Sequence, residues 1–239
     1  MRNFIVSMAA ACAAAKQINM APIVDSGSDI AIVWVQGAMC DNAGYQAIAN
    51  AVQEAGAAQG QRIFVGIPDF IAGSPDPVTL PGKVTSTIDD LREMGFTGDN
   101  IVMAGHSLGG VMAQGYSESN SDLIRAQVLM GSVLTREKRS INADGTSKFD
   151  YSVPTMTVGG TKDGLMRISR VSESFWHAHE NIEDAQRNVF PVMAFEGVSH
   201  AQFSSGDMPI NVRLHDLVPD VSETDAHNMV AQAMVDYFD

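Results

Sequence analysis

The sequence predicts an α/β fold: a mostly parallel central sheet with helices on both faces and a minimal cap or none. Three observations carry this expectation. Short apolar runs of strand length alternate with longer stretches of helical spacing along the chain. The runs are apolar at successive residues, as in strands buried on both faces. The chain of 239 residues is long enough for one such sheet without a second core.

The first clear run, 30–35, reads Ile-Ala-Ile-Val-Trp-Val and stops at Gln36-Gly37. Comparable runs follow at 63–67, 101–104, 126–130, 155–158 and 189–195. Between them, helical spacing appears at 44–55, 83–94, 109–119 and 165–180, with a last stretch at 224–238. Strand followed by helix, repeated, implies crossover connections between parallel strands. Pro and Gly crowd residues 68–82, which read as a loop after the second run. Residues 132–152 are polar and lack a long apolar period, so a short irregular flap is expected there.

Residues 1–16 begin with one Arg and an apolar stretch, with small-residue cleavage candidates ending at Ala13 and Ala15. They read as a candidate signal or targeting segment, with a plain N-terminal helix as the alternative. Residues 17–239 then form a single domain, either exported or organelle-targeted through that segment or cytoplasmic. The apolar stretch is too short to span a bilayer.

A hydrophobic share of 45% with 18% charged residues suits a folded globular chain. The net charge of -13 and the lack of any Lys/Arg stripe exclude nucleic acid as a partner and leave a small-molecule or lipid-like substrate. Only Cys12 and Cys40 are present, so no disulfide framework is expected. His177 and His179 stand two apart, on different faces of a helix, and no metal or cofactor is expected. Composition says nothing of the oligomeric state.

The chemistry concentrates at Gly105-His106-Ser107-Leu108-Gly109. An apolar strand precedes it and a helix follows, so Ser107 falls on a sharp turn. Glycines two residues before and after remove the side chains that would collide there. The helix start aims N–H groups and positive partial charge at an oxygen bound beside the serine, with Leu108 N–H as the natural first donor. This segment resembles the nucleophile elbow of the α/β-hydrolase superfamily in its lipase and esterase form.

A serine hydroxyl needs a base, so the chemistry requires an acid and then a histidine farther along. After the run at 155–158 comes Gly160-Thr161-Lys162-Asp163, and after the run at 189–195 comes Gly197-Val198-Ser199-His200. These segments resemble the acid and base loops of the same superfamily, which makes Asp163 the acid and His200 the base. Glu196 and Asp207 are the rival acids. His106 is expected to pack beside the elbow with a structural part, and Cys40 to fill space.

In the superfamily the second oxyanion donor comes from the loop after the first parallel strand, which here reads Gln36-Gly37-Ala38-Met39. The resemblance implies a donating backbone N–H at Ala38 or Met39. Gln36 departs from the histidine usual in that loop. Met39, Leu165 and Met166 are the expected substrate-lining residues, among 14 methionines in the chain.

The function so implied is hydrolysis of carboxylic esters through a Ser-His-Asp triad and an acyl-enzyme. The same triad serves an acyltransferase or a hydroxynitrile lyase, and a non-catalytic ligand receptor on a hydrolase scaffold is a further alternative. Likeness to chlorophyllase-type members is confined to the elbow and triad loops, and Leu108 stands where those members usually carry Arg.

Overall fold

In the computed structural model, which describes residues 16–239, seven strands form one twisted sheet in the order β1-β3-β2-β4-β5-β8-β9. The parallel strands are β2 (Ser28–Val35), β3 (Gln61–Ile67), β4 (Ile101–His106), β5 (Ile124–Met130), β8 (Thr155–Gly160) and β9 (Val192–Phe195). They pair in parallel throughout. The edge strand β1 (Ile18–Met20) runs antiparallel to β3, with Ile18 opposite Ile67. A remaining pair, β6 (Arg139–Ile141) and β7 (Ser147–Phe149), forms a separate hairpin.

Side chains of β2 alternate between two cores. Ile30, Ile32 and Trp34 pack with Val52 of α1 (Gln46–Ala58) and with Val230 and Met234 of α6 (Glu223–Phe238). Ala31, Val33 and Val35 pack on the other face, with Ile88 of α2 (Leu80–Glu93) and Ala113 of α3 (Leu108–Ser119). α4 (Ile168–Asn181) covers β8 on that second face, where a Cβ on Gly159 would stand 2.4 Å from Val171 Cγ2. Because both faces of every central strand are covered, the strands read as continuous apolar runs.

From β2 the chain passes to β3 on one side and then to β4 on the other, so strand order reverses between β2 and β4. Loops leaving the carboxyl ends of two strands diverge at such a reversal and leave a crevice, the usual ligand position in open α/β sheets.

The structure departs from the sequence reading at several points. β1 is short, and Gln17 and Asn19 tie it to α2 through side-chain hydrogen bonds, both donating to Asp90 and Gln17 also accepting from Thr87, rather than through an apolar run. α4 begins at Ile168 rather than near 165, since the residues before it wrap around Asp163. A six-residue helix, α5 (Ile210–His215), had no apolar signal. The segment 132–152, expected as a short irregular flap, holds the β6–β7 hairpin. Its hairpin bridges the far ends of two helices, Lys138 pairing with Glu118 of α3, and Ser147 bonding His177 and Asn181 of α4 at 2.6 Å each. These contacts lie about eleven residues along α3 from Ser107, roughly 16 Å at the helical rise. The candidate targeting segment, residues 1–16, lies outside the described residues except for Lys16.

Candidate active site

Ser107 sits between β4 and α3 with φ 52° and ψ -120°, a backbone conformation that L-residues rarely adopt. Its N–H donates to the Met130 carbonyl at 2.9 Å, pinning the turn to β5. A Cβ on Gly105 would stand 2.6 Å from the Gly110 backbone, and one on Gly109 only 2.2 Å from the Val35 carbonyl oxygen. The two glycines therefore let the helix start pack against both neighbouring strands. The N–H of Leu108, the first residue of α3, has no intrahelical acceptor by position.

Asp163 and His200 come together across the carboxyl ends of β8 and β9. His200 Nδ1 and Asp163 Oδ2 are 2.8 Å apart, with both side chains almost wholly buried. Facing a carboxylate, Nδ1 carries the hydrogen and donates it, which leaves Nε2 as the basic nitrogen. Among the described residues Nε2 has no hydrogen-bond partner, and Ser107 Oγ does not bond it directly. The other carboxylate oxygen, Oδ1, accepts from Leu165 N–H at 2.9 Å and Met166 N–H at 2.6 Å. Leu165 and Met166 thus hold the Asp163 carboxylate through their backbone N–H groups, while their side chains are half-buried. Neither rival acid reaches the imidazole: Glu196 is exposed, and Asp207 lines a cleft of about 390 Å³ with Cys40, Asp41, Gly44 and Met208.

The loop after β2 is the one in which a second donor was expected. Gln36 Nε2 donates to the Cys40 carbonyl at 3.1 Å and so closes the turn in which family members usually place histidine. Of the two amides expected to donate, that of Met39 is engaged by Ser74 Oγ at 2.9 Å, and the residue has φ 57° with its side chain 57% exposed. The amide of Ala38 has no hydrogen-bond partner among the described residues. Cys40 is buried, and burial raises its thiol above the ordinary value, which disfavours the reactive thiolate.

Sequence reasoning missed the network beneath this loop. Gly37 N–H donates to the Tyr45 hydroxyl at 2.7 Å, and that hydroxyl lies 2.8 Å from His106 Nδ1. With its oxygen already accepting, the hydroxyl hydrogen is free to go to Nδ1, which places the His106 proton on Nε2. The His106 ring packs against that of His200, with centroids 4.7 Å apart. Burial above all, then the charge of His200, holds His106 well below the ordinary histidine value; the His200 carbonyl opposes this. The uncharged form of His106 is therefore favoured beside His200. Among the described residues no cluster of three His, Cys, Asp or Glu side chains is placed to hold a metal ion.

The family model described as the alpha/beta hydrolase family matches residues 31–208 of the chain. No curated protein matches the sequence. Among solved structures, the chain is similar to Est1E from Butyrivibrio proteoclasticus at 14% identity and TM-score 0.56, over 92% of this chain and 93% of that one. It is also similar to the esterase domain of a Rhodothermus marinus protein at 9% identity and TM-score 0.52, covering 93% and 97% of the two chains. Alpha/beta hydrolase domain-containing protein 10 from mouse aligns at 12% identity and TM-score 0.50, covering 92% of each. These likenesses are likenesses of fold.

Proposed function

Since the chain belongs to the alpha/beta hydrolase family, we propose that it is a serine hydrolase of carboxylic esters, with Ser107 as nucleophile, His200 as base and Asp163 as the acid that orients it. The single observation that carries this reading is the buried Asp163–His200 contact of 2.8 Å, which leaves a basic Nε2 at the end of the sheet where the strained Ser107 stands.

In this mechanism Ser107 Oγ forms a bond to the ester carbonyl carbon as its proton passes to His200 Nε2. The carbonyl π electrons move onto the oxygen, which rests on the N–H groups of Leu108 and Ala38. Collapse of the tetrahedral intermediate breaks the carbon–alkoxide bond, and His200 returns the proton to the departing alcohol. Water then gives its proton to His200 and attacks the acyl-enzyme carbon; collapse releases the acid and reprotonates Ser107. Asp163 stays ionised throughout and keeps the imidazolium in place.

The test is hydrolysis of p-nitrophenyl esters of increasing acyl length by wild type and Ser107→Ala. A burst of chromophore followed by steady turnover in the wild type, with a loss of about 10³-fold or more in kcat for the variant, is the expected result. Equal activity of the two proteins would contradict it.

A further inference from the structure

The acid loop and the base loop meet on a third carboxylate. Asp216 directly follows α5, and its own N–H closes that helix by donating to the Val212 carbonyl at 2.8 Å. Its half-buried side chain gathers backbone N–H groups from both loops. Oδ1 accepts from Gly164 at 3.0 Å and from His200 at 3.1 Å, and Oδ2 accepts from Ala201 at 2.8 Å. Leu217 N–H reaches Oδ1 at 3.2 Å and also the Lys162 carbonyl at 3.2 Å, so the segment is bound to the acid loop by main chain as well. Among the described residues no Lys, Arg or His side chain pairs with Asp216; the nearby Lys162 pairs with Asp220. The carboxylate charge thus rests on peptide dipoles alone, in charge-assisted bonds that are stronger than neutral ones.

Gly164 adjoins Asp163, and His200 is itself the proposed base. β8 and β9 end side by side, and the first residues of the loops that leave them are joined by Thr161 N–H to the Phe195 carbonyl, Gly197 N–H to Thr161 Oγ1 and Lys162 N–H to the Val198 carbonyl, each at 2.9 Å; farther along, at Gly164, His200 and Ala201, the loops are held through Asp216. The fit around Asp216 is close: a Cβ on Gly164 would stand 1.8 Å from the His215 carbonyl oxygen.

We propose that Asp216 is a positioning residue, fixing the acid loop against the base loop so that His200 keeps its bond to Asp163 and its aim at Ser107 while it gains and loses the proton. This rests on the reading of Ser107, Asp163 and His200 as the triad. Asp216 touches neither substrate nor the reacting atoms. Its effect is on geometry, and a displacement of about 1 Å at a reacting centre costs on the order of 10²-fold.

Asp216→Asn keeps the size of the side chain but turns a donor toward one of the N–H groups, and Asp216→Ser shortens it to a single hydroxyl. The two variants are compared with wild type, with Ser107→Ala, and with Asp29→Asn, which loses an ion pair to Arg62 at the opposite end of β2. Active-site titration with a fluorophosphonate separates the number of competent sites from the rate at each. Expected for Asp216→Asn is a kcat lower by about ten- to a hundredfold with KM within about twofold. Phosphonylation per site slows in proportion, and the titre stays at one per folded chain. A reduced titre with wild-type rate per site, in either Asp216 variant, would mean a purely structural part and overturn the proposal. Unchanged kcat in both Asp216 variants, with Ser107→Ala inactive, would overturn it and leave the triad reading standing. Activity retained in Ser107→Ala would remove both. Asp29→Asn is expected to lower thermal stability without changing kcat.

Discussion

The Tyr45 hydroxyl stands between the Gly37 amide and the His106 ring, 2.7 Å from one and 2.8 Å from the other. It couples the loop that carries Ala38 to a histidine packed on His200. Tyr45→Phe leaves the buried Gly37 N–H without an acceptor, which is expected to cost about 1–3 kcal/mol of stability. Turnover should fall by about tenfold as the Ala38 amide loses its fixed aim. Urea unfolding and kcat on a p-nitrophenyl ester check both effects, and a variant matching wild type in both would show that the hydroxyl supports neither.

Protonation of buried histidines should make the fold sensitive to acid. Burial lowers His106 well below its ordinary value, and burial also lowers His227. In the unfolded chain each titrates near about 6.5. As pH falls through that value the unfolded state takes up protons that the native state refuses. The stability is therefore present in full above about pH 6.5 and is lost progressively below it, by up to about 1.4 kcal/mol per pH unit for each histidine. Melting temperatures from pH 8 to pH 5 should drop less steeply for His227→Gln than for wild type; parallel curves would contradict the assignment.

Ser74→Ala distinguishes the two amides of the loop after β2. It frees only the Met39 N–H, which is on an exposed residue. If the oxyanion rests on Ala38, kcat should change by less than about threefold, against about 10² to 10³ for loss of a true donor. A loss in that larger range would bring Met39 back as the donor.

Gly109 admits no side chain. The Cβ of Gly109→Ala would stand 2.2 Å from the Val35 carbonyl and 2.4 Å from that of Gln36, both backbone atoms that have no freedom to move aside. The expected outcome is a loss of several kcal/mol and of most activity together, read by thermal unfolding of whatever folded protein is recovered. A variant with wild-type melting temperature would show that the elbow can shift at little cost.

Much of this architecture was legible in the sequence because central strands buried on both faces leave unbroken apolar runs, and because Ser107, Asp163 and His200 each stand within about five residues of the end of an apolar run. β1 was not legible, since a three-residue edge strand held by polar side chains has no period to detect. The hairpin of β6 and β7 was read as an irregular flap for a similar reason: most of its anchoring runs through polar Lys138 and Ser147, and the single aromatic contact of Phe149 with Phe190 sets no apolar period. Asp216 accepts from backbone amides 15 to 52 residues away and Tyr45 meets the His106 ring 61 residues on, and such contacts carry no residue pattern at all. The engagement of Met39 by Ser74, 35 residues on, belongs to the same class.

The measurement that bears most directly on the proposed chemistry is the intact mass of the wild-type protein after reaction with a fluorophosphonate, followed by peptide mapping and by residual esterase activity. The predicted result is one phosphonyl group per chain, carried by the peptide that contains Ser107, with activity lost in step with its attachment. Esterase activity that survives unmodified in excess reagent, or a label that falls on Cys40 or another serine while Ser107 stays free, would contradict the covalent serine mechanism.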